Sequence, residues 1–521
     1  MSSETAMHDP ARTQSSSATQ SLDALVAELD EIQVSLYSYE HALAIMEYDG
    51  MTTMPPAGAA LASRTQSVLA AAQHRILAGE HLREVLESLE ARIDELDARH
   101  AAMVRVLMRQ HREERLVPDE LAADLRAATA AAFPVWRAAK GNDDFESFAP
   151  HVERIFSLLR AKALCIRPEA APYDTCLDLW ERGSSMELCD GFFAQVTRAV
   201  VPLLREISAC GPVPDFGFTH AHVPAQNQAE LCLDLARVMG LDLDRLTLGL
   251  TEHPWTTEFS GDDVRIAHHY NEDDVLDGVS TSMHENGHAL YEQRVDPSFA
   301  GTCLHRNSSG GIDEGQARLM ENLVGRSRPF MDALLPLLRR HAPGAFDSVT
   351  PDELYRACNV VKPGCIRTLS DELTYPLHVL VRYECEKALF AGDVAVRDVP
   401  AMWRDLMREH LGVEVPDDTR GCLQDIHWSA GYIGYFPGYA LGNAYGAQLM
   451  AHARRARPDL DDSFARGDLE PLTSWLDARV WKHGASVDPL PLMEQACGEP
   501  FDPSYYTDYL VDKFETLYGL R

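Results

Sequence analysis

The segment His284-Glu285-Asn286-Gly287-His288 holds the residue types that hydrolytic metal chemistry requires. Residues four apart on a helix share a face, so His284 and His288 can aim two imidazoles at one ion. Glu285 is turned about 100° from His284, close enough to reach a water at the same centre. The run from Val275-Leu276 through Val279 and Met283 to Leu290 supports a helix, which Gly287 weakens slightly. A hydrolytic zinc site needs a third protein ligand and one open position. A second helix, predicted from Ile312 after the loop Asn307-Ser308-Ser309-Gly310-Gly311, offers Glu314 or Glu321. Glu314, Arg318 and Glu321 would share one face of it, and spacing alone does not choose between the two acids. Such a set supports metal-assisted hydrolysis, with Glu285 taking a proton from the attacking water and delivering it to a leaving amine.

The elements that must position these groups read as mostly helical. Leu22, Leu25, Leu29, Ile32, Leu36, Tyr39 and Leu43 recur at steps of three and four until Pro55-Pro56 breaks the pattern. A second helical stretch is predicted from about Ala59 to Arg99. A third carries Met103, Val106, Leu107 and His111, and Pro118-Asp119-Glu120 opens another. The best strand signal runs from Asp263 to Tyr270, between Gly261 and Asn271. Neighbours on a strand face opposite sides, so His268 and His269 are poor co-ligands and read as structural. The expected fold is a large, mainly α domain with a deep groove and a small accessory β-sheet. Residues 1–20, rich in Ser, Thr and Gln, read as a disordered tail, and 21–521 as a single domain in two lobes around the groove.

The net charge of -33 argues against nucleic acid and against anionic membranes as partners. No apolar run long enough to cross a bilayer and no secretory signal is read in the sequence. The eleven cysteines form no CxxC pair and read as reduced thiols, which places the protein in the cytoplasm.

Further segments carry a resemblance. Tyr48-Asp49-Gly50-Met51-Thr52-Thr53-Met54-Pro55, Asn142 to Phe145 with Ala149-Pro150, His253-Pro254-Trp255 and Asp263-Val264-Arg265-Ile266-Ala267 come in order before the HENGH helix. Ile366-Arg367-Thr368-Leu369-Ser370-Asp371, Gly421-Cys422-Leu423-Gln424-Asp425-Ile426-His427-Trp428 and Gly434-Tyr435-Phe436-Pro437 follow it. Together they resemble the carboxypeptidase Taq family of zinc metallocarboxypeptidases along nearly the whole chain. The resemblance selects Glu314 as the third ligand. It implies a helical fold with zinc at the floor of a long groove, a homodimer, and release of single residues from the free C-termini of peptides. Cobalt could also occupy such a site.

An exopeptidase must hold a carboxylate, and the planar fork of arginine suits it. By the resemblance Arg367 is the first choice, and Arg382 the second. His427 and Tyr435 are candidates to donate to the tetrahedral oxyanion, Tyr439 to bind the peptide backbone, and Gln424 and Asp425 to orient His427. Trp255, Ala267 and Ser370 replace the family's Phe, Thr and Ala, and Asp313 stands where it has His, beside Glu314. Two rivals stay open beside this reading, and the departures motivate the second. One is an oligopeptidase or dipeptidyl carboxypeptidase on short peptides. The other is a zinc-binding relative with impaired catalysis.

Overall fold

A computed structural model describes residues 20–251 and 254–521. The expected N-terminal tail, apart from Gln20, and His253 of the His-Pro-Trp segment lie outside the described residues. The described residues are mainly α, with one three-stranded sheet. Six helices matter most for the site. They are α1 (Leu22–Thr52), α2 (Pro172–Trp180), α3 (Val275–Arg294), α4 (Gly310–Arg318), α5 (Tyr375–Ala391) and α6 (Phe436–Ala456). The strands are β1 (Leu246–Leu250), β2 (Trp255–Ser260) and β3 (Asp263–His268).

Helix α1 begins where Ser21 accepts a hydrogen bond from the Ala24 amide, and it buries Leu25, Leu29, Ile32 and Leu36 against neighbouring helices, as the periodicity predicts. The single stretch expected from Ala59 to Arg99 divides. Helices Ala59–Leu77 and Glu80–Glu90 meet at Gly79, where a Cβ would lie 2.7 Å from the Arg75 carbonyl oxygen. Polar residues with helical spacing on both sides hid the break.

Strand β3 lies between its partners, parallel to β1 and antiparallel to β2. Thr256 of β2 pairs in register with Ile266 of β3. Val264 and Ile266 are buried in the main core, which also takes in Met283, Ala289 and Leu290 of α3. The other face of the sheet packs Phe259 and Ala267 under Tyr48 of α1. His268 is fully buried, with Nε2 3.0 Å from Ser282 Oγ, so it serves packing between sheet and helix. No helix among the described residues is long and apolar enough to cross a membrane.

Candidate metal centre and its surroundings

Asp274 caps α3 by accepting from the Asp277 amide, and three turns on the helix presents His284 and His288 from one face. Their Nε2 atoms lie 3.2 Å apart, and Glu314 Oε2 lies 3.7 Å from His284 Nε2. Atoms coordinated tetrahedrally at about 2.1 Å stand about 3.4 Å from one another, so the three groups are spaced as one ion requires. One ligand atom from each falls within 4.8 Å of the others, and Glu314 Oε2 is buried without a hydrogen-bond partner among the described residues. A buried orphan oxygen facing two imidazole nitrogens fits a cation.

Each imidazole has a carboxylate at its other nitrogen. His288 Nδ1 lies 2.8 Å from Asp313 Oδ1, and His284 Nδ1 lies 3.2 Å from Glu321 Oε2. Burial alone would lower the His288 pKa, but the charge and hydrogen bond of Asp313 override it and raise it to about 10. The Asp313 contact keeps a proton on His288 Nδ1, so a metal would displace only the proton on Nε2. The choice left open between Glu314 and Glu321 is therefore geometric: one faces the Nε2 atoms, the other backs Nδ1. Glu321 sits in a π-helical stretch, Leu319–Gly325, that continues α4 and breaks the simple face expected from the spacing. Arg318 and Arg326 both donate to Glu321 at 2.9 Å and hold its pKa well below the usual range, although burial opposes them.

Asp313 thus faces His288 rather than open solvent. Asp313→Asn should keep a hydrogen bond to Nδ1 and remove the charge, weakening metal binding by about tenfold. Competition against a chelator measures this, and an unchanged dissociation constant would remove Asp313 from the site's support.

Glu285 is 5% exposed. Its Oε2 accepts from Thr256 Oγ1 at 2.7 Å, and the same hydroxyl donates to the Glu285 carbonyl at 3.1 Å. Thr256 was missed from sequence, since a strand threonine beside His-Pro-Trp has no mark of its contact to α3. Gly287 lets α3 touch α4: a Cβ there would lie 2.9 Å from Ala317 Cα. Ser309 caps α4 through the Ile312 amide. Glu181, just after α2, adds a buried carboxylate that accepts from Ser309 Oγ (2.9 Å), Gly311 N (2.8 Å) and Tyr445 Oη (3.1 Å). Burial pushes its pKa up to about 7 against those hydrogen bonds. An acid at the positive end of a helix is favourable, so Glu181 fixes the turn that carries Asp313 and Glu314.

The second half of the site centres on Asp425. Arg367 donates to it from Nε (3.2 Å) and Nη2 (2.9 Å), and from Nη1 to Tyr375 Oη (3.1 Å). Arg382 donates to it from Nε at 2.7 Å. Two guanidiniums share one carboxylate, leaving a net positive charge. Arg367 retains unused N–H donors and lies over the Tyr439 ring, 5.0 Å from its centroid. Arg382 is a correction to the sequence reading: it is 0% exposed, stacked on Trp403 and bonded to the His378 carbonyl, out of reach of any substrate. Gln424 and Asp425 also differ from expectation. Gln424 accepts from the Arg367 amide and Asp425 binds the arginines, so both position Arg367 instead of His427.

His427 is buried, with Nε2 3.4 Å from Tyr439 Oη and Nδ1 without a partner among the described residues. Burial, with Arg367 and Arg382 nearby and despite Asp425, lowers its pKa to about 3, so the ring is neutral. The Tyr435 and Tyr439 rings stand 5.1 Å apart. Burial first, then the charge of Glu314 among others, keeps both hydroxyls protonated.

A helix-borne pair of histidines and a carboxylate from the next helix form a candidate divalent-metal site, with a buried acid beside the first histidine. The chain belongs to the carboxypeptidase Taq (M32) metallopeptidase family, whose model matches residues 28–514. It is 34% identical to carboxypeptidase 1 of Bacillus subtilis (strain 168) over 482 residues, 92% of this chain and 96% of that one. It is 34% identical to thermostable carboxypeptidase 1 of Thermus thermophilus over 487 residues, 91% and 95% of the two chains. The crystal structure of the M32 carboxypeptidase from Deinococcus radiodurans R1 superposes with a TM-score of 0.91 at 34% identity, over 95% of this chain and 99% of that one. The protein is a metallocarboxypeptidase, a peptide hydrolase.

Proposed function

We propose that this enzyme releases single residues from peptide C-termini with a zinc ion held by His284, His288 and Glu314. The observation that carries the reading is the orphaned Glu314 oxygen facing two converging imidazoles, each backed by a carboxylate. A divalent ion held there would supply Lewis acidity toward the scissile carbonyl and the water, and cobalt could replace zinc. Glu285, aimed by Thr256, takes the proton of the attacking water and passes it to the leaving amine. Neutral His427 and protonated Tyr435 donate hydrogen bonds to the oxyanion, and Tyr439 binds the peptide backbone. Arg367 receives the terminal carboxylate on its remaining donors, with Arg382 and Asp425 fixing its plane. The carboxypeptidase names of the relatives support an exopeptidase over an enzyme that cuts within peptides. We take residues 21–521 as one domain, acting in the cytoplasm as a homodimer.

The test compares an N-blocked dipeptide with the same peptide amidated at its C-terminus. The zinc-loaded enzyme should cleave the free acid and leave the amide essentially intact. Equal cleavage of both would end the role given to Arg367 and favour an oligopeptidase. One metal per chain with no cleavage of either would favour the impaired relative.

A further inference from the structure

Three neutral donors converge on one carboxylate outside the metal centre. Glu386 of α5 is 0% exposed. Its Oε1 accepts from Trp428 Nε1 at 2.8 Å, and its Oε2 accepts from Gly434 N and Tyr173 Oη, each at 2.8 Å. Burial pushes its pKa up to about 7 even against these hydrogen bonds. An apolar side chain would fill the space without the cost of burying an acid, so the acceptor pattern itself calls for explanation.

The three donors have a spatial logic. Trp428 and Gly434 lie at the two ends of one short segment, and the residues just outside it are His427 and Tyr435. Tyr173 belongs to α2, which receives the same segment: the Trp180 indole donates to the Ile433 carbonyl at 2.9 Å, and its ring meets Tyr435 edge-on. Gly434 takes φ +82°, and a Cβ on it would lie 2.7 Å from the Cys176 carbonyl carbon. One helical turn before Glu386, Arg382 grips Asp425. A single face of α5 therefore holds the chain at residues 425, 428 and 434. Only a carboxylate can accept on both oxygens here, because an amide would turn an NH2 group toward a donor.

We infer that Glu386 is a positioning residue: by holding the Trp428 indole and the Gly434 amide together, it sets the span between His427 and Tyr435. The inference rests on the proposed role of those two groups toward the oxyanion. An acceptor missing at either end would let one donor drift, and a displaced oxyanion donor costs turnover more than substrate binding.

In zinc-loaded Glu386→Gln, kcat on the free-acid dipeptide should fall about 100-fold, with little change in KM. Metal affinity by chelator competition should stay within about threefold, because the ligands lie on other helices. Amide hydrogen exchange should quicken across residues 427–435 and not across α3. In Glu386→Gln/Trp428→Phe the amide group can turn toward the ring and leave its oxygen to Gly434 and Tyr173, so turnover should recover about tenfold from the single variant. Trp428→Phe alone removes one donor; should Glu386→Gln fail to fold, this variant must show faster exchange at 427–435 with metal affinity retained. Unchanged exchange over 427–435 would overturn the inference. So would parallel loss of metal, or a double variant no better than the single. His427→Ala and Tyr435→Phe in the same assay test the underlying reading: full activity in both would refute it, while the exchange data would still decide what Glu386 holds.

Discussion

Glu285→Gln should abolish peptide turnover while the metal stays bound. Among the described residues, Glu285 has one side-chain partner, the Thr256 hydroxyl on Oε2, and its other oxygen makes no hydrogen bond. Glutamine has the same shape, and a hydroxyl can donate or accept, so the Thr256 contact survives the change. What disappears is the capacity to take a proton. General-base catalysis contributes roughly 10²–10⁴-fold, and a base that also delivers the proton to the leaving amine belongs at the upper end. The expected loss in kcat/KM is thus about 10³–10⁴-fold, or about 4–5.5 kcal/mol of transition-state stabilisation. Steady-state cleavage of an N-blocked dipeptide measures it, beside metal content per chain. Activity within tenfold of the parent would refute the role of base. Loss of metal together with activity would make Glu285 part of the ligand set.

This site was partly legible because two of its proposed ligands and its proposed base lie within five residues of one helix, where spacing alone dictates direction. His284, Glu285 and His288 needed nothing else. The groups behind them are contacts between elements, and spacing does not report those. Asp313 meets His288 across the α3–α4 interface, and Thr256 meets Glu285 from a strand. Spacing could not separate Glu321 from Glu314, because a π-helical stretch shifts the direction of Glu321 and the helical period assumed from sequence is the α one. Arg382 misled for a different reason. A lone arginine on a helix suggests a surface, yet Leu377, Val379, Leu380, Val381 and Tyr383 around it are all buried, and that apolar run was the available sign. Glu181 and Glu386 had no sign at all, since a glutamate in a helical region ordinarily marks solvent. The helical class of the fold was legible from periodicity along α1, and β3 from its alternation. Strands β1 and β2 were not, since β1 carries Gly249 inside it and β2 starts directly after Pro254, and both residues weaken a strand signal.

The fold adds a constraint on Glu314 that the ligand geometry does not display. Helices α4 and α6 touch backbone to backbone through Gly311 and Gly315 on one and Gly442 and Gly446 on the other, each pair spaced by four so that it forms one ridge. A Cβ on Gly442 would lie 2.6 Å from the Gly311 carbonyl oxygen and 2.9 Å from the Gly315 amide nitrogen. Neither atom can rotate away, because both belong to the helix that carries Asp313 and Glu314 between them. Gly442→Ala must therefore push α4 off α6. Overpacking of this kind costs about 1–3 kcal/mol of stability. The larger effect falls on the metal: Glu314 and Asp313 shift together relative to His284 and His288, and affinity should drop at least about 100-fold, since a ligand and the partner of another are both displaced. Gly438→Ala, one turn earlier on α6, supplies the contrast. Its Cβ would find nothing nearer than the Gly311 amide nitrogen at 3.9 Å, an ordinary contact, so metal affinity should be unchanged. Chelator competition on both variants, with thermal midpoints alongside, separates helix spacing from mere loss of a glycine on α6. Equal metal affinity in the two would mean that α4 holds Glu314 in place without the close approach of α6.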